Sequence, residues 1–458
     1  MDQNLEMTTS RSSFTGKIGF VLAAAGSAVG LGNIWRFPYL AAKYGGGIFL
    51  LTYILLSVTF GFSLMIAEIA IGRKTGKSPI SAFKALDKRF AFLGYLAAAI
   101  PAIILPYYSV IGGWVMKYSF GFLTGSGSAM ADGAYFGGFI SKTGEPLAWF
   151  CLFVALTAVI VLLGVKKGVE LVSKFMMPVL IALMIFIVVY TLATTEGAGA
   201  GVAYYLMPDF SKFSLMTVVA AMGQLFYSMS LAMGIMITYG SYMKKDISIE
   251  NSAHQIEIFD TGVALLAGLL IVPACYAFNN GDPAALGAGP GLMFGVLPQV
   301  FARMPGGSVI GFVFFVTVFL AALTSSISLM ETVVSTIMDK FGLGRKLCCA
   351  IVLGISVLLG VPSSLGYSAW SGFKVLGMQV LDLFDFVSNS VMMPILALIT
   401  AIFVGYILKP RAVIEEIEVS GKFTLKKLFV VMIRYVAPVC LVAVLLSSVL
   451  SAFGVITI

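Results

Sequence analysis

The stretch GSAVGLGNIWRFPY, residues 26–39, lies inside an apolar segment that is long enough to cross a membrane. Gly26, Gly30 and Gly32 follow one another closely in it, and each glycine weakens a helix. Arg36 comes next, although a charged side chain is costly in hydrocarbon. The sequence therefore predicts a membrane-spanning helix that is broken near its middle.

The composition indicates a polytopic membrane protein. The chain has 458 residues, of which 59% are hydrophobic and 11% charged, and its mean hydropathy is +1.01. A soluble core cannot absorb this much apolar surface. The apolar segments are longer than the strands of a barrel, and backbone groups in lipid must bond internally, so the spans are predicted to be α-helices.

Eleven apolar segments are long enough to be transmembrane helices. They are predicted at residues 18–42, 46–71, 91–122, 147–164, 171–191, 216–242, 256–280, 308–338, 347–362, 375–408 and 428–456.

Lysine and arginine residues predict the orientation. Most of the 29 basic residues fall in loops on the same side as the N-terminus. The outer loops hold only Lys43, Lys142, Lys212, Arg303 and Lys374. Because positive residues are retained on the cytoplasmic side, the N-terminus is predicted to be cytoplasmic and the C-terminus extracytoplasmic, in a bacterial plasma membrane.

Other classes of protein receive little support. The net charge of +8 is spread over short loops, so no basic domain exists for nucleic acid. The single His254 and the five cysteines form no metal-ligand pattern, and no nucleophile motif is present, which argues against an intramembrane enzyme. A channel is disfavoured because the polar residues cluster at helix breaks that suit an occluded site.

A second interruption occurs five spans after the first. The sixth span reads GQLFYSMSLAMGIM, residues 223–236, with Gln224, Ser228, Ser230 and Gly234 in its middle. Paired breaks in the two halves of a chain indicate a transporter binding site, because unwound carbonyls can ligate a cation while half-helix N-termini attract an anion. The eighth span, LAALTSSISLME at residues 320–331, adds hydroxyl oxygens that suit an alkali cation.

Four acidic residues lie in or beside the spans. Glu68 is one turn from a basic loop and is interpreted as an interfacial carboxylate. Asp260 opens the seventh span, where it could simply favour the helix dipole. Asp382 and Asp385 lie towards the outer end of the tenth span. An Arg36–Asp385 pair across the pathway would serve better as a gate than as a stabilising contact, because buried ion pairs add little stability.

These motifs closely resemble those of the neurotransmitter:sodium symporters, over residues 11–456. The resemblance implies an all-α, leucine-transporter-like fold with two inverted five-helix repeats, residues 18–191 and 216–408. An eleventh helix would follow at 428–456, and a cytoplasmic segment, 1–17, would carry an inner-gate arginine. It also implies sodium-driven uptake by alternating access, with a small amino acid and membrane lipids as partners of a monomer or homodimer.

The resemblance implies two sodium sites. The ligands of the first would be Ala28, Asn33, Ser228, Asp260 and the substrate carboxylate. The ligands of the second would be Gly26, Val29, Ala321, Thr324 and Ser325.

It also implies a substrate site and two gates. Substrate contacts would come from Ala28, Leu31, Gly32, Ile104, Tyr108, Tyr227, Ser230, Ala232, Met233, Ser325 and Leu329. Arg36 and Asp385 would form the outer gate above Tyr108 and Tyr227, and Arg11, Asp339, Phe14 and Tyr242 the inner gate. The motif GVELVSKFMMP, residues 168–178, would let the fifth helix unwind, since Gly168 loosens a helix and Pro178 lacks a backbone donor.

Two departures from the family pattern refine the prediction. Tyr53, Gln224 and Ser228 match a chloride site of relatives, but Asp260 replaces its asparagine, so we expect chloride-independent transport. Ala232 stands where glycine is found in a model transporter and should crowd the pocket. The pocket offers no countercharge, which predicts neutral, aliphatic amino acids as substrates.

Alternatives on the same scaffold remain. One is a carrier of an aromatic amino acid, tryptophan or tyrosine, or of a small zwitterion such as glycine. Another is a carrier of an osmolyte or amine. An amine substrate usually needs a carboxylate at the position of Ser27 in the first-helix motif. Ser27 therefore favours a substrate that carries its own carboxylate.

Overall fold

The structure is a computed structural model that describes residues 13–279 and 289–452. All regular elements within these two ranges are helices, as predicted. Two short helices, Gly127–Met130 and Tyr135–Ile140, lie between the longer helices Lys88–Leu123 and Gly144–Leu162. The longer helices are α1 Lys17–Ala28, α2 Gly32–Lys43, α3 Gly47–Thr75, α4 Pro79–Leu86, α5 Lys88–Leu123, α6 Gly144–Leu162, α7 Val165–Thr194, α8 Ala198–Leu206, α9 Leu215–Ser228, α10 Ile235–Ser241, α11 Ile249–Phe278, α12 Leu292–Arg303, α13 Gly307–Phe341, α14 Arg345–Leu365, α15 Val380–Ile407, α16 Pro410–Glu418 and α17 Lys426–Ser451.

Membrane spans can be assigned by length and composition. Within the described ranges nine helices are long and apolar enough to cross a membrane, and the bent pair of α1 and α2 makes a tenth. The predicted sixth span falls on α9 and α10, which have 14 and 7 residues and are separately too short. The interruption that the sequence predicts in this span therefore divides it into two helices.

The first break separates α1 from α2 by a bend of 54°. α1 ends at Ala28, and Val29 is extended, with φ −70° and ψ 104°. A π-helical turn, Gly32–Arg36, opens α2. The break is stabilised from within, because the Oδ1 atom of Asn33 accepts a hydrogen bond of 3.1 Å from the backbone N–H of Gly30.

The second break runs from Met229 to Gly234, between α9 and α10. Ser230 and Ala232 have φ of 53° and 54°, in the left-handed region that side-chain-bearing residues rarely adopt. Glu68 supports this conformation, since its Oε1 atom accepts a hydrogen bond of 2.8 Å from the N–H of Ala232. Glu68 is 4% exposed, so the interpretation of this residue as an interfacial carboxylate was wrong.

Glycine allows α3 and α10 to pack with their backbones in contact. A Cβ atom on Gly72 would lie 1.9 Å from the carbonyl oxygen of Ile237, and one on Gly240 would lie 2.3 Å from that of Ile69. The 35-residue helix α13 lies against α5, α6, α7 and α1. The core therefore surrounds α13 and brings the two breaks beside it.

Candidate transport site

A cavity of about 30 Å³ lies between the two helix breaks. Leu31, Tyr108, Tyr227 and Ser325 are among its lining residues, and they come from the first break and from three different helices. Predicted substrate contacts lining the cavity are Ala28, Leu31, Gly32, Ile104, Tyr108, Tyr227, Ser230, Met233, Ser325 and Leu329. The structure thus brings together residues that lie up to about three hundred positions apart in the chain.

Ala232 is the predicted substrate contact that the cavity wall does not include. Its backbone is instead turned towards Glu68 by the hydrogen bond described above. The structure adds Ser27, Gly30, Ile235, Ser328 and Asn389 to the wall. The Oγ atom of Ser27 lies 3.0 Å from that of Ser230 and 2.6 Å from that of Ser328, which gives one part of the wall a polar character.

A cluster of oxygen atoms adjoins the first break. Asn33 donates from Nδ2 to Ser228 Oγ at 2.9 Å and to Asp260 Oδ1 at 2.7 Å. Ser228 donates to the same carboxylate at 2.8 Å, and the hydroxyl of Tyr53 lies 3.3 Å from Asp260 Oδ2. Within the described ranges no group of three His, Cys, Asp or Glu residues is placed to hold a metal ion. A cluster with one carboxylate among neutral donors suits a monovalent, hard cation.

A second oxygen cluster joins α1 to α13. The hydroxyl of Ser325 lies 3.1 Å from the carbonyl oxygen of Ser27, 3.2 Å from that of Val29 and 3.5 Å from that of Gly26. The hydroxyl of Thr324 lies 3.0 Å from the carbonyl oxygen of Ala321. The residues of the predicted second sodium site are therefore neighbours, although they come from the first and eighth predicted spans.

Backbone amides of the first break face the cavity. The N–H of Leu31 lies 3.4 Å from the hydroxyl oxygen of Tyr108, and Gln224 donates to the carbonyl oxygen of Gly32 at 3.0 Å. Leu31 precedes the first turn of α2, where the helix dipole is positive. This end of the cavity can bind a carboxylate, whereas the carbonyls of the second break can accept from an ammonium group.

The outer gate differs from its prediction. Arg36 and Asp385 line one cavity of about 270 Å³ without forming an ion pair. The guanidinium of Arg36 lies over the ring of Tyr227, at 5.5 Å from its centroid. Asp385 accepts hydrogen bonds from Tyr107 at 3.0 Å and from Asn389 at 2.6 Å. In this structure each of the two side chains therefore contacts neighbours of its own, and their pairing as a gate remains a prediction.

The predicted inner gate is closely packed. Phe14 is fully buried, and its ring lies 5.6 Å from that of Tyr239 and 6.0 Å from that of Tyr242. Asp339 accepts a hydrogen bond of 2.7 Å from the N–H of Ser78. Arg11 lies outside the described residues.

Acidic residues that the sequence analysis overlooked hold this inner side together. Glu170 accepts a hydrogen bond of 2.9 Å from the N–H of Thr15, contacts its hydroxyl, and lies 2.6 Å from Lys174. Glu331 pairs with Arg345 at 2.6 Å and accepts from Tyr242 at 2.8 Å. Glu170 lies at the end of a π-helical turn over Val165–Glu170, inside the motif predicted to unwind. An acidic residue within that motif was the feature of the sequence that could have indicated this contact.

The fold and the paired breaks define a secondary membrane transporter. The family profile of the sodium:neurotransmitter symporters matches residues 11–128 and 136–455. The chain belongs to this family, and the resemblance that the motifs indicated is confirmed.

Similar proteins extend over almost the whole chain. YhdH of Bacillus subtilis, a sodium-dependent transporter, is 36% identical over 94% of this chain and 96% of its own length. A sodium-dependent transporter of Methanocaldococcus jannaschii is 32% identical over 95% of this chain and 89% of its own length. The human sodium- and chloride-dependent taurine transporter is 27% identical over 83% of this chain and 68% of its own length.

A solved structure has the same fold. The crystal structure of MhsT in complex with L-phenylalanine superposes with a TM-score of 0.86 at 36% identity, over 96% of this chain and 100% of MhsT. The leucine-transporter-like fold class is thereby confirmed, and the protein is a sodium-dependent transporter of this family.

Proposed function

We propose that the protein imports a neutral amino acid together with sodium by alternating access. The observation that carries the proposal is the convergence of both helix breaks on one cavity that has amides at one end and carbonyls at the other. Such a cavity matches the two charges of a zwitterion. The L-phenylalanine bound to the related MhsT supports an amino acid as the substrate.

Two sodium ions are proposed to bind with the substrate. The oxygen cluster around Asn33, Ser228 and Asp260 would hold the first ion, and the cluster around Thr324 and Ser325 would hold the second. Both clusters share residues or backbone with the first break, so an ion bound there stabilises the broken conformation that binds substrate. The names of the related transporters support sodium as the driving ion.

Transport is proposed to be independent of chloride. Asp260 places a carboxylate within 3.3 Å of Tyr53 and 2.8 Å of Ser228. This fixed negative charge would balance sodium where a chloride-dependent carrier needs an anion. Gln224, which matches a residue of the chloride site in relatives, donates a hydrogen bond to the carbonyl oxygen of Gly32.

The substrate is proposed to be small or medium in size and aliphatic. The support for this proposal is the small volume of the cavity, about 30 Å³. MhsT binds L-phenylalanine, which favours an aromatic substrate as the second candidate. Competition of unlabelled alanine, leucine and tryptophan against labelled alanine distinguishes the two, and strong preference for tryptophan contradicts the aliphatic proposal.

The gates are proposed to act from opposite sides. An open cavity between Arg36 and Asp385, together with the closed packing around Phe14, corresponds to a carrier that is open to the outside. Closing would bring Arg36 and Asp385 together over Tyr227, and opening inward would separate Phe14 from α10.

Proteoliposomes test the proposal directly. An inward sodium gradient should drive accumulation of a labelled neutral amino acid, and a potassium gradient should not. Uptake should persist when chloride is replaced by gluconate. Accumulation without a sodium gradient, or its collapse in gluconate, contradicts the coupling or the chloride independence respectively.

A further inference from the structure

A cavity of about 640 Å³ lies at the end of the protein predicted to be outside, between the end of α2 and the chain that leads from α8 to α9. Two lysines, Lys43 and Lys212, and three tyrosines, Tyr39, Tyr44 and Tyr204, line it. None of the described residues in its wall also lines the cavity between the two helix breaks. It is therefore a separate feature of the molecule.

A glycine turn after α2 builds one wall of this cavity. Gly45 and Gly46 have φ of 92° and 60°, which side-chain-bearing residues rarely adopt. A Cβ atom on Gly46 would lie 2.1 Å from the carbonyl oxygen of Tyr204, and one on Gly45 would lie 2.9 Å from Cβ of Lys212. The hydroxyl of Tyr204 donates to the carbonyl oxygen of Ala42 at 2.6 Å. The turn thus holds two distant parts of the chain together and places both lysines at one cavity.

The two lysines keep most of their positive charge. The ammonium group of Lys43 lies 5.3 Å from the ring centroid of Tyr44, and that of Lys212 lies 4.9 Å from that of Tyr204. Such contacts orient an ammonium group without neutralising it. Lys212 is 3.8 Å from Asp209, whereas no carboxylate in the described part of the chain lies within ion-pair distance of Lys43. The cavity therefore has an excess of positive charge, which attracts an anion.

The position of these lysines is unusual for a membrane protein. Basic residues are depleted from loops on the outer side, and the outer loops predicted here hold only five of the 29. Two of those five line the same cavity, although like charges repel each other. A bound anion gives this arrangement a physical reason.

Exposed apolar side chains surround Lys212. Leu206, Met207, Phe210 and Phe213 are 44%, 69%, 70% and 50% exposed. They lie between the outer ends of the fifth and sixth predicted spans, where apolar and aromatic side chains meet the membrane surface. A ligand with an anionic head and an apolar tail matches this surface better than a free anion does.

We propose that this cavity binds the phosphate headgroup of an anionic phospholipid. The ammonium groups of Lys43 and Lys212 would contact the phosphate as point charges, and the acyl chains would lie along Phe210 and Phe213. The site joins the end of α2 to the chain before α9, so a bound lipid would hold the outer halves of both broken spans together. The inference goes beyond the proposed function, since it requires neither sodium nor substrate.

The test titrates the purified full-length protein with lipid and follows binding by native mass spectrometry. Phosphatidylglycerol is the anionic probe, and phosphatidylcholine with the same acyl chains is the neutral comparison. The unmodified chain should bind phosphatidylglycerol more tightly. Lys43→Gln and Lys212→Gln should each weaken this binding by about fivefold, and the double variant by about twenty-fivefold, because each lysine contributes one attractive charge.

Two control proteins accompany these variants. Lys374→Gln removes an exposed basic residue that is also predicted outside but does not line the cavity, so it should bind phosphatidylglycerol as the unmodified chain does. The double variant Lys43→Arg with Lys212→Arg keeps both charges and should retain most of the binding. Thermal unfolding without lipid should be similar in all variants, since Lys43 and Lys212 are exposed.

Thermal unfolding with ligand identifies the source of the phosphate. Phosphatidylglycerol should raise the unfolding midpoint of the unmodified chain and of Lys374→Gln, but not that of the double glutamine variant. Inorganic phosphate and glycerol phosphate should have little effect. Equal stabilisation by inorganic phosphate would mean a site for a free anion and overturns the lipid site. Equal binding of phosphatidylglycerol to the unmodified chain and to the double glutamine variant overturns it as well.

Discussion

Asp260 is the residue on which the charge of the first oxygen cluster depends. Asn33, Ser228 and Tyr53 all direct donors towards its carboxylate. An ionised carboxylate with several donors is strongly oriented and lies in the protein interior, where its interaction with a bound cation is little screened.

Replacing this charge should change the ion requirement. We expect Asp260→Asn to lower uptake in chloride-free medium by about tenfold or more, since a loss of about 1.4 kcal/mol already has that effect. Chloride should partly restore uptake, because an anion near Tyr53 can replace the missing charge. Uptake assays in chloride and in gluconate measure this, and a variant that is fully active in gluconate would show that Asp260 is not the balancing charge.

Gly32 is a second residue at which a single substitution should affect transport, because there is no room for a side chain. A Cβ atom at this position would lie 2.2 Å from Cδ1 of the Tyr227 ring. We expect Gly32→Ala to displace Tyr227 from the cavity wall and to reduce sodium-driven uptake by about tenfold or more, which corresponds to a packing cost of about 1–3 kcal/mol.

Gly223→Ala is the matched control for this substitution. A Cβ atom on Gly223 would meet no atom within 4 Å, and alanine favours a helix over glycine. Uptake and thermal unfolding of both variants should be compared. Equal activity of the two would mean that close contact between Gly32 and Tyr227 is unimportant for transport.

At the scale of elements, the start of α7 is bound to the segment that precedes α1. Glu170 accepts from the backbone and the hydroxyl of Thr15, and Lys174 completes the contact. The π-helical turn Val165–Glu170 contains Gly168, where a Cβ atom would lie 2.0 Å from the carbonyl oxygen of Ile160. We therefore expect unwinding of α7 and release of the N-terminal segment to be coupled through the carboxylate of Glu170.

Removing the charge of Glu170 should weaken the contact between α7 and the segment that precedes α1. Hydrogen bonds to a charged group contribute about 1.5–3 kcal/mol, so Glu170→Gln should accelerate amide exchange of Thr15 by about tenfold or more. Hydrogen–deuterium exchange mass spectrometry of the peptide that includes Thr15 measures the effect. Glu415→Gln, which changes an exposed pair with Arg411, is the control and should leave this exchange unaltered.

At the scale of the whole molecule, the orientation in the membrane is open to a simple test. Ser141→Cys lies in a loop predicted outside, and Lys166→Cys lies in one predicted inside. A membrane-impermeant maleimide on intact cells should label the first and reach the second only after permeabilisation. The native cysteines should first be replaced, and the reverse pattern would contradict the distribution of basic residues as an orientation signal.

The spans and both breaks could be predicted because their signals are local. Long apolar segments predicted the helices, although α7 and α11 begin six and seven residues before their predicted starts. Clusters of glycine and serine predicted the ends of α1 and α9. Contacts of Glu68 with Ala232 and of Glu170 with Thr15 could not be predicted, since each joins parts of the chain that are more than a hundred residues apart. The separation of Arg36 from Asp385 depends on the conformation of the carrier, which a sequence does not encode as a single state.

The backbone contact between α3 and α10 has a mechanical consequence. Gly72 and Gly240 bring the two backbones so close that even a methyl group would not fit between them. We therefore expect the two helices to move together during the transport cycle. A movement of α10 would then be passed through α3 to Glu68, and from Glu68 to the second break at Ala232.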